Sequence, residues 1–382
     1  MQKVAVVTSR LRRLISPEEP WLVALRGTLR KIAADQHTLV VVSGTAGSNF
    51  VLHGATQLGV LCELVEAPSE TTLSPTNLPQ RDQIVNSIAD LVYVLTLRSG
   101  GNLHRVLRDR LQHRRGAVVF VDIPGLQDEA ARRELCELGA TAWRPATESC
   151  RAFESLSTTV ENALPTSGSS DEVYLITPFP KENAWEMLTH TTRSCSEPWP
   201  DQSFDSYADH LFQGHPDADH SSLGTLRRIV CQRRLIASSR TIRGGHRVVS
   251  FTACPLERLP TLHQFRAHRV RWDFEPYGIC LRREWLQSLG ARPVSYGKEE
   301  EWNSLPEVDR PFFQLARGES GIDWTIEQEW RHLGDLDLSH ATASDVLLFV
   351  PSFEAAKSLA KIVSWPVTLW PGCDRSSARM QK

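Results

Sequence analysis

The chain up to Pro145 is ruled by apolar runs that break at polar or glycine-bearing turns and are then followed by helical repeats. VAVVTS, LVVVSG, LCELVE, LVYVLT and AVVFVD read as strands. Between them Trp21, Leu22, Leu25, Leu29 and Ile32 recur at helical spacing, and further helices are expected over Phe50–Leu58, Ile84–Ile88, Leu103–Leu111 and Asp128–Leu138. Most of these strands are apolar throughout rather than alternating, so both of their faces must be covered. The alternation of these strands with helices carries the same requirement. It predicts an α/β fold, a Rossmann-like parallel sheet with helices on both faces, with right-handed crossovers and ligands at the strands' carboxyl ends.

The grammar changes at LPTSGSSDE, Leu164 to Glu172, a polar seam. Nine of the eleven tryptophans follow it, and strands such as VVSFTA, YGICLR and VLLFVP are not separated by regular helices. We therefore expect a domain over 1–150, a linker over 151–171 and a separate Trp-rich α+β domain over 172–382. The 382 residues suffice for two cores. No apolar run approaches the roughly 20 residues that span a bilayer, so no membrane partner is expected. MQKVAVVTSR enters a strand pattern at once, which does not suit a secretory signal. The eight cysteines are scattered without CxxC pairs, as suits reduced thiols, and a cytoplasmic location is the expectation.

The formal net charge of -2 hides an asymmetry. Between His220 and Trp272 stand eleven Arg, no Lys and one acid, Glu257; acids then dominate to Asp337, with Glu299, Glu300 and Glu301 in a row. Arginine without lysine suits bidentate recognition of phosphate or carboxylate. Pairing of the basic segment with the acidic one that follows explains the pattern equally well.

Ser43-Gly44-Thr45-Ala46-Gly47 lies between a strand and a helix, where unpaired N–H groups favour an anion. It is neither GxGxxG nor GxxxxGK[ST]. A second glycine turn, Ser99-Gly100-Gly101-Asn102, follows LVYVLT, and Arg81-Asp82 precede the intervening short helix. Both turns belong at one edge of the sheet. SGTAG, PQRDQIVNSIADLVYVL, RSGGN and AVVFVDIPG, taken in this order, resemble the DNA-processing protein A (DprA/Smf) family. That family shares the wider SLOG group of Rossmann-like domains with the LOG phosphoribohydrolases.

The resemblance covers about residues 1–145. It implies that Ser43, Gly44, Ala46, Gly47, Arg81, Ser99, Gly100 and Gly101 line a pocket for nucleotide or nucleic-acid phosphates, with Thr45, Asp82 and Asn102 beside them. Asp82 stands where that family has Asn, and Ser48-Asn49 where it has Ile-Asp. The LOG glutamate has no counterpart after Gly101, where Asn102, Leu103, His104 and Arg105 follow, so LOG-type hydrolysis is not expected.

In the second half, RWDFEPYGICLRREWLQSLGARPVSYG and IDWTIEQEWRHLGDLDL resemble AbiGi-like abortive-infection proteins. If Glu327 and Glu329 lie in one strand they share a face, and paired carboxylates can divide acid, base and ribose-holding roles. With Arg243, Ser250 and Thr252 they resemble the Arg, Ser-x-Ser/Thr and Glu of ADP-ribosyltransferases. A surface acidic strand paired with Arg331 or with the basic segment is the plainer reading. His210, His215 and His220, with Asp209, Asp217 and Asp219, read as a solvated loop, and no metal is assigned. Trp272, Trp285, Trp302, Trp324 and Trp330 are read as core rather than base-stacking platforms.

Two functions are carried forward. One is a bacterial defence or stress protein that senses a nucleotide or nucleotide-derived signal and drives a C-terminal effector acting on NAD. The other is a DprA-like binder of single-stranded nucleic acid without enzymatic activity. No certain cofactor is implied beyond a nucleotide or NAD-derived ligand, homo-oligomerisation is compatible with both, and enzymatic activity is left undecided.

Overall fold

The apolar runs become the strands of a parallel sheet in the computed structural model, which describes residues 1–9, 11, 16–66, 80–153, 176–178, 181–240, 242–266, 271–317 and 322–371. The chain divides into two compact units, Met1–Thr159 with Gln202–Asp219, and Val160–Asp201 with His220–Lys382. The stretch Gln202–Asp219, read from sequence as part of the second domain, thus belongs to the first. Of the expected linker, 154–171 lies outside the described residues.

The first unit runs β1 (Lys3–Thr8), α1 (Pro20–Ala34), β2 (Thr38–Val42), α2 (Ser48–Gln57), β3 (Cys62–Val65), α3 (Gln80–Ile88), β4 (Leu91–Thr96), α4 (Asn102–Gln112), β5 (Ala117–Val121), α5 (Glu129–Glu137) and β6 (Thr141–Trp143). The sheet order is β3-β2-β1-β4-β5-β6, with every neighbouring pair parallel. Alternate strand residues feed two cores. Val4, Leu39, Val41, Tyr93 and Leu95 pack with α1 and α2, whereas Ala5, Val7, Val92, Val94 and Phe120 pack with residues of α3, α4 and α5.

A sixth helix, α6 (Phe204–Gln213), completes the first of these cores with Tyr207, Ala208, Leu211 and Phe212. Ser203 caps it by accepting the Ser206 N–H at 3.1 Å. Gly54 lets α6 approach α2, since a Cβ there would lie 2.5 Å from Cζ of Phe212. On the opposite face Arg110 of α4 is wholly buried and reaches the carbonyls that end α3.

The second unit is built on a seven-stranded sheet. Its order is Arg292–Pro293, Glu329–Leu333, Val248–Thr252, Met187–Thr191, Gly278–Arg282, Val346–Val350 and Val367–Leu369. All pairs are antiparallel except the last. Leu188, Val249, Phe251, Ile279 and Leu348 face one core, and Cys280, Leu347 and Phe349 the other. This is the expected α+β arrangement. No helix among the described residues is long and apolar enough to cross a membrane, and the seven described cysteines are free thiols.

Candidate functional site

The turn from β2 to α2 needs two left-handed residues, and Gly44 (φ 72°) and Gly47 (φ 75°) supply them. Gly47 is the N-cap of α2. Arg81, in the first turn of α3, reaches across and donates to the Gly44 carbonyl at 3.0 Å. A Cβ on Gly44 would lie 2.8 Å from the guanidinium carbon, so the arginine occupies room that only glycine leaves. Some donors in this turn are already used: the Ser43 N–H bonds Val65 O at 3.0 Å and the Thr45 hydroxyl bonds Val42 O at 2.9 Å. Among the described residues nothing accepts the N–H groups of Gly44, Ala46 and Asn49.

The second turn is partly self-satisfied. Gly100 (φ 68°) donates its N–H to His104 Nδ1 at 3.2 Å, and Gly101 donates to Arg98 O at 3.4 Å. The open donors are instead those of Asn102 and Leu103 in the first turn of α4. His104 is buried, with Nε2 3.3 Å from a Glu134 carboxylate oxygen.

Because β1 lies between β2 and β4, the two turns flank its carboxyl end, roughly 10 Å apart by strand spacing. This is where the strand order reverses, the usual position of ligands in open α/β sheets. Thr8 and Thr96 close the floor, with hydroxyl oxygens 2.7 Å apart. Sequence reasoning passed over these two; a hydroxyl residue ending each of two strands was the available signal. Asp82 lies beside Arg81 on α3, and burial holds its carboxyl above the ordinary carboxylate range.

The second-unit candidates are arranged differently from the expectation. Glu327 ends a 3-10 turn, Thr325–Glu327, and Gln328 is left-handed at φ 46°, so the strand begins only at Glu329. Glu327 and Glu329 therefore do not share one strand, because the reversal at Gln328 breaks the alternation. The register sets Thr252 opposite Glu329 and Ser250 opposite Arg331, bringing these four to one face.

Glu329 spends both oxygens on Arg331, which donates from Nε at 2.8 Å and from Nη2 at 2.9 Å. Arg243 makes a bidentate pair with Glu299 and lies 4.7 Å over the Trp302 ring. Arg240 pairs with Glu197 and Arg247 with Asp335. The structure thus gathers Ser250, Thr252 and Glu329 but sends each expected arginine clamp to another carboxylate.

His190 stands on the neighbouring strand and donates through Nδ1 to Ser250 O at 2.8 Å. Burial outweighs that bond and lowers its pKa from 6.5 to about 4. The neutral ring is what the fold accommodates, so its contribution is present above 6.5 and lost as pH falls towards about 4. Denaturation midpoints followed from neutral pH downwards should drop over that window, and His190→Gln should flatten the drop.

The arginine segment also resolves. Arg228, Arg234, Arg240, Arg243, Arg247, Arg258 and Arg266 each reach a carboxylate. Of the two readings of the charge pattern, intramolecular pairing accounts for these seven. Their partners lie on both sides in sequence, Glu182, Glu197 and Asp201 before the segment as well as Asp273, Glu299 and Asp335 after it. Trp285 and Trp330 pack against the sheet core, and Trp302 and Trp324 lie under Arg243 and Arg266. Trp272 departs from the core reading at 46% exposed, against Phe265 and His263.

No family model matches this chain, and no curated protein does. Solved structures similar to its N-terminal part include the molybdenum cofactor carrier protein of Chlamydomonas reinhardtii, at 16% identity over 39% of this chain and 92% of that one, with TM-score 0.29. DNA processing protein A of Streptococcus pneumoniae is similar at 14% identity over 39% of this chain and 60% of that one, with TM-score 0.30. The Helicobacter pylori protein of the same name, described for its single-stranded DNA binding mode, is similar at 16% identity over 37% and 74%, with TM-score 0.27.

Proposed function

We propose that the first unit binds the phosphate of a nucleotide, or of a nucleotide-built ligand, at the carboxyl edge of its sheet, and that it binds without cleaving. The observation that carries this reading is the placement of two glycine turns on either side of β1, with Arg81 laid on the first. Open N–H groups at Gly44, Ala46, Asn49, Asn102 and Leu103 meet an anion's lone pairs, and the guanidinium adds charge. The second unit is then the responding part of a defence or stress sensor. Single-stranded nucleic acid is the alternative ligand of the same edge. The carboxylate-paired arginines of the second unit lend that alternative no further support.

Titration of the untagged chain with fluorescent AMP and with a labelled oligothymidylate tests both. Gly44→Val forces a β-branched residue to φ 72° and drives Arg81 off the turn, so affinity should fall at least roughly tenfold while the circular dichroism spectrum is kept. Oligonucleotide binding that weakens steeply with salt selects nucleic acid; saturable AMP binding with little salt dependence selects the mononucleotide. Wild-type affinity in Gly44→Val would remove the site, and release of free adenine from AMP would overturn binding without cleavage.

A further inference from the structure

We propose that His210, His215 and Asp217 bind a divalent transition-metal ion of the Zn2+ type. One ligand atom from each lies within 4.8 Å of the other two. This convergence has a local cause in the way α6 ends. Gly214 adopts φ 66° and donates to Leu211 O at 3.4 Å, and His215 donates its N–H to His210 O at 2.9 Å. That pair of bonds is the Schellman pattern, in which the side chains at the first and last of these positions meet, ordinarily as an apolar contact. Here the two are imidazoles, stacked with centroids 4.5 Å apart and planes at 24°.

The chain then turns through the 3-10 segment Pro216–Ala218, with His215 as its cap. His215 Nδ1 accepts the Asp217 N–H at 3.1 Å and lies 3.8 Å from Asp217 Oδ2. The bond leaves the Nδ1 lone pair unprotonated but occupied, so a metal ion bound there would take the place of the Asp217 N–H. Ligand atoms of a tetrahedral zinc ion with bonds of about 2.0–2.1 Å stand about 3.3 Å apart. Closing the set to that spacing shortens a separation by up to about 1.5 Å, and His215 and Asp217 are exposed side chains beyond the end of α6.

The scaffold beneath is held independently. Asp209 accepts from His53 Nε2 at 2.7 Å, and Tyr207, Leu211 and Phe212 are buried. Asp209 is thereby spoken for, and the third histidine of the stretch, His220, is fully buried in a stack with Trp199. Two imidazoles and a carboxylate suit zinc, nickel or copper, not magnesium or calcium, which prefer all-oxygen shells. Three protein ligands leave a further position for water or an outside donor, the pattern of open rather than structural sites.

The test is calorimetric titration of the untagged, metal-stripped full chain with Zn2+ at neutral pH. One ion per chain is expected. His210→Ala and His215→Ala should each weaken binding at least roughly tenfold, and Asp217→Asn by less, while His113→Ala, an exposed histidine elsewhere on this unit, should change nothing. Circular dichroism distinguishes loss of ligand from loss of fold. Saturable Zn2+ binding retained in the folded His210→Ala/His215→Ala double variant would overturn the proposal, as would no saturable uptake by the wild type. Displacement by equimolar Mg2+ would overturn the assignment to a transition metal.

Discussion

Arg110→Ala should cost the first unit about 3–5 kcal/mol of stability, the largest loss expected from a single change there. The side chain is wholly buried. Its Nη1 donates to Asn86 O at 2.6 Å, and its Nη2 donates to Ala89 O at 2.6 Å and Asp90 O at 2.8 Å. These are carbonyls at the carboxyl end of α3, where the helix leaves acceptors unsatisfied and its dipole favours a cation. Burial lowers the guanidinium's pKa, but arginine stays charged in proteins, so the contacts remain charge-assisted. Lysine should not rescue it, because a single ammonium cannot span the fork.

Urea denaturation measures the loss, and hydrogen exchange should show it first at the end of α3. As α3 also carries Arg81, affinity at the proposed phosphate site should fall together with stability rather than apart from it. A midpoint close to wild type would mean that water replaces the guanidinium and that Arg110 is not the hub described.

Glu329→Ala should destabilise the second unit by about 3–5 kcal/mol, and Glu329→Gln by less, because glutamine keeps an acceptor but not the charge. Arg331 is 2% exposed. Besides Glu329 it donates to Pro311 O at 2.8 Å, Phe313 O at 2.9 Å and Gln314 Oε1 at 2.9 Å. Removing the carboxylate leaves a buried guanidinium with its charge uncompensated. The same place is sealed by Tyr296, whose hydroxyl accepts the Glu329 N–H at 2.8 Å and is pushed up to about 12 by burial. A catalytic glutamate would show the opposite pattern, with activity lost and thermal stability kept in Glu329→Gln. Stability within about 0.5 kcal/mol of wild type would therefore restore Glu329 as a candidate for chemistry.

The apolar runs of the first half determine their own structure. VVV and LVYVL have no polar face to turn to water, so a sheet covered on both sides is their only stable outcome, and the crossovers then bring both glycine turns to one edge. Boundaries moved by a few residues, as with α3, which begins at Gln80 rather than Ile84. Glu-x-Glu in the second half was open to two conformations, and a single left-handed residue, Gln328, decided between them.

The choice of partner for each arginine was not local either. Arg243 stands 56 positions from Glu299, and only the packed sheet brings such pairs together. The same holds for α6, whose apolar stripe found its place against Gly54 and Phe50 far back in the chain. Spacing along the chain determined strands, turns and the sheet edge that carries both glycine turns; which charges meet, and which histidines face each other, was decided by tertiary packing, because those contacts join residues whose distance in sequence carries no period.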